Sequence, residues 1–104
     1  MEITPEELKT KLDCGEKIIL VDVRDQAEHA ICHLKDARLI PLKELPNRTM
    51  DLNAEDCIIL YCHHGMRSAQ AALWLKRKGF SRVKSLQGGI DAWAETIDPL
   101  MKRY

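Results

Sequence analysis

Cys57-Ile58-Ile59-Leu60-Tyr61 is apolar at every position, and this run constrains the fold more than any other part of the chain. A strand with one wet face alternates apolar and polar residues. A run without alternation needs cover on both faces, as a central strand of a parallel sheet has. Parallel strands cannot be joined by tight hairpins and need crossover segments, usually helices. The rest of the chain supplies them. Thr4-Pro5-Glu6-Glu7 reads as a capped helix start, Leu8 and Leu12 mark one face of that helix, and Gly15 stops it. Ile18 to Asp22 is predicted as a second buried strand, and Asp25 to Ala30 as a short helix. Ala37 to Ile40 reads as a strand closed by Pro41, followed by a helical turn within Leu42 to Arg48.

Ser68 to Lys78 carries the clearest helical pattern. Ala71, Ala72, Leu73 and Leu75 supply its apolar surface, Lys76, Arg77 and Lys78 suit the negative end of its dipole, and Gly79 ends it. Val83 to Leu86 reads as a strand, Gly88-Gly89 as a turn, and Ile90 to Ile97 as a last helix with Trp93 packed. Strand and helix alternate over residues 1–104 without repeats or linkers. One α/β domain is therefore expected, with an open, mainly parallel sheet and helices on both faces.

Such sheets place their sites at the carboxyl ends of strands. After the central run comes Cys62-His63-His64-Gly65-Met66-Arg67, with Ser68 expected to open the next helix. A helix that begins so soon points its amide-rich end back at the cysteine, which favours an anion there, either a thiolate or a bound oxyanion. Gly65 permits the tight curvature that turns successive N–H groups inward. Arg67 adds a permanent charge, and His63 and His64 are candidates for partial charge near neutral pH. These features favour reading Cys62 as a nucleophile over reading it as a small core residue.

Cys62-x-x-Gly65-x-Arg67-Ser68 resembles the active-site loop of rhodanese-like sulfurtransferases. Asp22-Val23-Arg24, Glu28 and His33-Leu34 resemble the upstream signature of that family. Gly79-Phe80, Val83 and Leu86-x-Gly88-Gly89-Ile90-x-x-Trp93 resemble its downstream half, so the likeness covers almost the whole chain. It implies a sheet of about five strands. It also implies that Cys62 takes sulfane sulfur from a donor as a persulfide and passes it to a nucleophilic acceptor. His63, His64, Gly65, Met66, Arg67 and Ser68 would form the substrate-binding loop. Asp22, Arg24 and Glu28 would brace it, with Arg67 meeting one of the carboxylates. No metal and no organic cofactor is required. The donor would be a small molecule such as thiosulfate, or a cysteine desulfurase persulfide. The tail Ile97 to Tyr104 is similar to the end of rhodanese domains fused to adenylating enzymes that activate sulfur carriers. A thiol, or a ubiquitin-like carrier with its adenylating enzyme, is thus the expected acceptor. The chain departs from the family pattern where His63 stands in place of a frequent Arg, and where Cys32 and Asp36 replace glycines.

The remaining features narrow the alternatives. Lys plus Arg and Asp plus Glu each number 16, so net charge gives no case for nucleic acid or an anionic membrane. The acidic start carries no secretory pattern and no apolar run is long enough for a membrane helix, so a cytoplasmic protein with reduced thiols is expected. Cys57 reads as core, Cys14 as inert, Cys32 as a small loop residue, and His29 as a solvated helix residue. His33 reads as a hydrogen-bonded structural residue, and the Cys57, Cys62, His63 and His64 spacing fits no common zinc site. A cysteine-dependent phosphatase or arsenate reductase is a rival, but Cys62 to Arg67 is Cys-x4-Arg, one residue tighter than the phosphate-enclosing Cys-x5-Arg loop. A non-catalytic binding module of the same fold is the second rival.

Overall fold

The computed structural model describes residues 1–104. In chain order it contains β1 (Glu2–Ile3), α1 (Pro5–Asp13), β2 (Ile19–Asp22), α2 (Gln26–Ile31) and β3 (Arg38–Leu39). These are followed by α3 (Leu45–Arg48), β4 (Ile58–Tyr61), α4 (Met66–Arg77), β5 (Val83–Leu86) and α5 (Gly89–Thr96). Short 3₁₀ turns flank α3. The five strands form one sheet in the order β1-β5-β4-β2-β3, and every pairing is parallel. No helix is long and apolar enough to cross a membrane.

The uninterrupted apolar run is the centre of this sheet. All four residues of β4 are buried, between β2 on one side and β5 on the other. Strand alternation then sends its side chains into two different cores. Ile58, Leu60 and Cys62 join Val21, Val23, Ala71, Ala72, Leu75 and Val83 on the face covered by α3 and α4. Ile59 and Tyr61 join Ile3, Leu8, Leu20, Leu86, Ile90 and Trp93 on the face covered by α1 and α5. Each fully buried Ile or Leu contributes about 1.5–3 kcal/mol to folding, so filling both faces is what commits the chain to this sheet.

Local chemistry sets the helix starts. Thr4 caps α1 through a reciprocal box: its hydroxyl accepts from the Glu7 amide at 3.1 Å, and its own amide donates to Glu7 Oε1 at 2.9 Å. Asp25 and Glu28 build the same box on α2, at 2.8 and 3.3 Å. The helix expected to open at Ser68 opens at Met66 instead. Gly65 is its N-cap residue with φ +105°, and this left-handed step turns the chain from the loop directly into the helix.

Three other expectations change. The edge strand β1 was not anticipated, because two residues carry no readable period. Leu73 is 41% exposed: the inward stripe of α4 is Ser68, Ala71, Ala72 and Leu75, spaced as one helical face, and Leu73 lies off it. Cys57 precedes β4 and is only partly buried, packed beside the α1–α5 core. Asp36, at the position of a family glycine, adopts φ +64°, a conformation Asp tolerates better than most residues.

Candidate active site

Three strand ends converge on Cys62. It directly follows β4, and Asp22 and Leu86 end the two strands that pair with β4. Strand alternation points the Cys62 side chain toward α4, on the same side as Leu60. The thiol is 1% exposed and sits against the first turn of that helix. Its Sγ accepts from the Gly65 amide at 3.1 Å and from the Ser68 amide at 3.4 Å. The Ser68 hydroxyl lies at 3.5 Å from Sγ and at 2.6 Å from the buried Ser85 hydroxyl, which sits on β5. Backbone donors and the positive end of a helix thus face one sulfur atom.

The loop is turned this way because its carbonyls are occupied elsewhere. The Cys62 carbonyl accepts from the Ile90 amide at 2.9 Å, and the His63 carbonyl from the Asp91 amide at 3.1 Å. Both donors belong to the first turn of α5. That approach requires glycine at 89: φ is +64°, and a Cβ there would collide with the His63 carbonyl and lie 2.6 Å from the Cys62 carbonyl oxygen. With the acceptors held by α5, the donors are left for the sulfur.

Two ion pairs flank the loop. Arg67 grips Glu28 with both arms of its guanidinium, at 2.8 and 3.0 Å. The Arg67 hydrogen bonds hold the Glu28 carboxyl down at about 2 against burial, which acts the other way. The same pairing raises the Arg67 pKa, so its charge is permanent, and Cys62 lies within its electrostatic reach. Deeper in, Asp22 and Arg24 are both fully buried. Asp22 accepts from the Arg24 amide at 3.0 Å, from Nε at 2.9 Å and from Nη2 at 2.6 Å. Arg24 also binds the Cys32 carbonyl through Nη2. Burial opposes the Arg24 charge, but the bonds to Asp22 and Tyr104 outweigh it and raise the pKa. A buried pair this fully hydrogen-bonded costs about 3–5 kcal/mol to break from one side.

Of the residues expected to brace the loop, Glu28 contacts Arg67 directly. Asp22 and Arg24 instead hold each other beneath the site. Met66 and Ser68 lie in the first turn of α4, Met66 pointing out at 79% exposed and Ser68 fully buried at the sulfur. His64 is exposed and faces Asp91 at 3.8 Å. His63 is sandwiched between His64 and Tyr104, with centroid distances of 4.0 and 3.8 Å, and its buried Nε2 makes no hydrogen bond. Burial, then the neighbouring His64, lowers its pKa, so it supplies no charge near neutral pH. His29 departs from its reading as a solvated residue: its Nδ1 meets buried Asp22 at 2.8 Å. His33 is structural as expected, with Nδ1 at 3.0 Å from the His29 carbonyl and its ring stacked on His29. All four cysteines are free.

Sequence reasoning missed Ser85 and Tyr104. Ser85 reads as an ordinary strand residue, and Tyr104 as part of the tail that resembles the end of fused rhodanese domains. Yet the Tyr104 hydroxyl accepts from Arg24 Nη1 at 2.8 Å and donates to Glu28 Oε2 at 2.7 Å, linking the two flanking ion pairs.

Residues 4–96 match the family described as Rhodanese-like domain. The "Probable adenylyltransferase/sulfurtransferase MoeZ" of Mycobacterium tuberculosis is 46% identical over 105 residues, covering 98% of this chain and 26% of that protein. The chain therefore spans about a quarter of the length of that relative. The "Sulfurtransferase" of Allochromatium vinosum is 39% identical over 100 residues, covering 96% of this chain and 94% of that one. The solved structure of a rhodanese-like domain protein from Staphylococcus aureus aligns with a TM-score of 0.84 at 33% identity, covering 89% of this chain and 91% of that one. A match over most of the chain, and a parallel sheet shared with solved relatives, agree: the chain belongs to the rhodanese-like domain family.

Proposed function

We propose that the protein is a sulfurtransferase that carries sulfane sulfur as a persulfide on Cys62, with residues 1–104 acting as one domain. The observation that carries this reading is the position of Cys62 Sγ under the amides of Gly65 and Ser68 at the head of α4. The donors that face Sγ suit an anionic sulfur at the head of the helix.

In the first half-reaction the Cys62 thiolate attacks the outer sulfur of a donor such as thiosulfate. A new S–S bond forms, the donor's S–S bond breaks, and sulfite leaves with the electron pair. In the second, an acceptor thiolate or cyanide attacks the outer sulfur of the persulfide, and the Cys62 thiolate leaves. Arg67 attracts the anionic donor, with Glu28 holding its guanidinium in place. His63, His64 and Met66 border the site, and Asp22 and Arg24 support it from below. The relatives' names favour a relay setting for this domain. The proposed donors are thiosulfate or a desulfurase persulfide, and the proposed acceptors are a thiol or a sulfur-carrier protein with its adenylating enzyme.

The test is intact mass after mixing reduced protein with thiosulfate, beside a Cys62→Ser control. The expected result is one added sulfur on the wild type, removed by cyanide and absent from the control. If thiosulfate fails, cysteine with a cysteine desulfurase serves as the second donor. Loading from neither would replace the enzyme with a binding module of the same fold.

A further inference from the structure

We propose that Tyr104 is a positioning residue whose hydroxyl sets how strongly the Arg67 charge is felt at Cys62, and thereby the preference of the loop for anionic sulfur donors. The inference rests on the reading of the Cys62 loop as the site of sulfur transfer.

Four polar groups stand in one hydrogen-bonded line. Buried Arg24 donates to the Tyr104 hydroxyl at 2.8 Å, and the hydroxyl donates to Glu28 Oε2 at 2.7 Å. Glu28 then accepts from Arg67 at 2.8 and 3.0 Å. The hydroxyl has one proton to give, and Arg24 cannot accept one, so the direction of the line is fixed. Glu28 Oε2 is thus shared between Tyr104 and Arg67. A carboxylate that spends part of its acceptor capacity on a phenol neutralises its guanidinium partner less completely. The phenol in turn is polarised by the Arg24 charge behind it.

The tyrosine is placed for this work from both sides. Its ring stacks on His63 at 3.8 Å with an interplanar angle of 10°, and lies 5.7 Å from the Arg24 guanidinium carbon. The preceding Arg103 is pinned to Asp91 Oδ1 at 3.1 and 2.9 Å, which anchors the segment to α5. The Arg67 side chain remains 39% exposed and lines a surface cleft with Lys43, Asp25 and Leu42, with buried Arg24 behind it. An anion that enters this cleft meets Arg67 beside Lys43 and Asp25. Without the hydroxyl, Glu28 has only Arg67 among the two, and Arg24 Nη1 keeps only the Cys32 sulfur at 4.0 Å. The charge offered to the cleft then falls.

The experiment compares Tyr104→Phe, which removes the hydroxyl and keeps the ring, with Tyr104→Ala and the wild type. Cys62 alkylation is followed by peptide mass spectrometry with iodoacetate, an anion, and iodoacetamide, its neutral counterpart. The ratio of the two rates reads the charge felt at the sulfur and does not depend on sulfur transfer. In both variants the ratio is expected to fall by about threefold or more while the iodoacetamide rate holds. The concentration of thiosulfate for half-maximal loading should rise by a similar factor, with little change in the limiting rate. A wild-type ratio in Tyr104→Phe overturns the proposal, as does a ratio that falls only because the iodoacetamide rate rises, which would report loosened packing. If the wild type takes no sulfur from any donor, the sulfur-transfer reading fails separately, and the alkylation ratio still decides whether Tyr104 tunes the site.

Discussion

Glu28 serves two structures with one carboxylate. Its Oε1 closes the capping box with the Asp25 amide at 3.3 Å and also receives Arg67 Nη1 at 2.8 Å. A single carboxyl therefore couples the start of α2 to the start of α4. Its pKa, lowered from 4.5 to about 2 chiefly by Arg67, has a definite consequence for stability. The depressed value means that folding holds the proton off. The contribution is complete above about pH 4.5 and is lost as the pH falls through about 2. Carboxyl titration by NMR should place Glu28 near 2 in the wild type, and Arg67→Gln should return it toward the ordinary carboxylate range. His63 makes the opposite kind of statement. Burial keeps its imidazole neutral, so the loop lacks the permanent charge that an arginine would bring there. His63→Arg is expected to lower the thiosulfate concentration for half-maximal loading by about threefold, since a planar guanidinium can keep the stack on Tyr104 while adding charge. An unchanged or higher value in a loading titration would rule this out.

At the scale of elements, the site is a junction between the ends of β4 and two helices. α4 offers its amides to the sulfur, and α5 takes the loop carbonyls. Gly89 is the hinge of that arrangement, and its requirement can be separated from plain backbone strain. Gly15 also has positive φ, at +77°, but nothing lies within 4 Å of a Cβ placed there. Gly15→Ala should therefore cost about 1–2 kcal/mol in urea unfolding, the left-handed penalty alone. Gly89→Ala adds a collision with the His63 carbonyl and should cost clearly more, with loss of Cys62 loading. Equal losses for the two variants would show that the loop can move aside. Much of this junction was legible in the sequence. The unbroken Cys57–Tyr61 run placed the central strand, and Gly65 and Arg67 marked the loop after it. The first turn of α4 was misplaced because its N-cap is a glycine with no capping side chain to read. The part played by α5 was invisible for a related reason: backbone-to-backbone bonds between distant segments leave no side-chain signature.

Across the whole molecule, the sheet separates two cores, only one of which holds Cys62. The core under α1 and α5 holds Ile59, while the core under α4 holds both Leu60 and Cys62. Ile59→Val should cost about 0.5–1.5 kcal/mol and leave Cys62 alkylation unchanged. Leu60→Ala should cost about 2–5 kcal/mol and speed alkylation by loosening the wall beside the thiol. Urea unfolding and iodoacetamide kinetics on the same samples check both, and equal effects on Cys62 would argue against the separation. Long-range side-chain contacts were the least readable feature at this scale. Tyr104 reaches Arg24 and Glu28 across most of the chain, and His29 reaches Asp22 through a helix too short to show an amphipathic period. The amides that face the Cys62 sulfur come from Gly65 and Ser68, and neither is a side-chain group. Exchanges of the His63, Arg67 or Tyr104 side chain at the margin of the loop therefore leave those backbone donors in place. On such a frame, replacing a rim residue is expected to alter which donor the loop prefers while the hydrogen bonds to the sulfur persist.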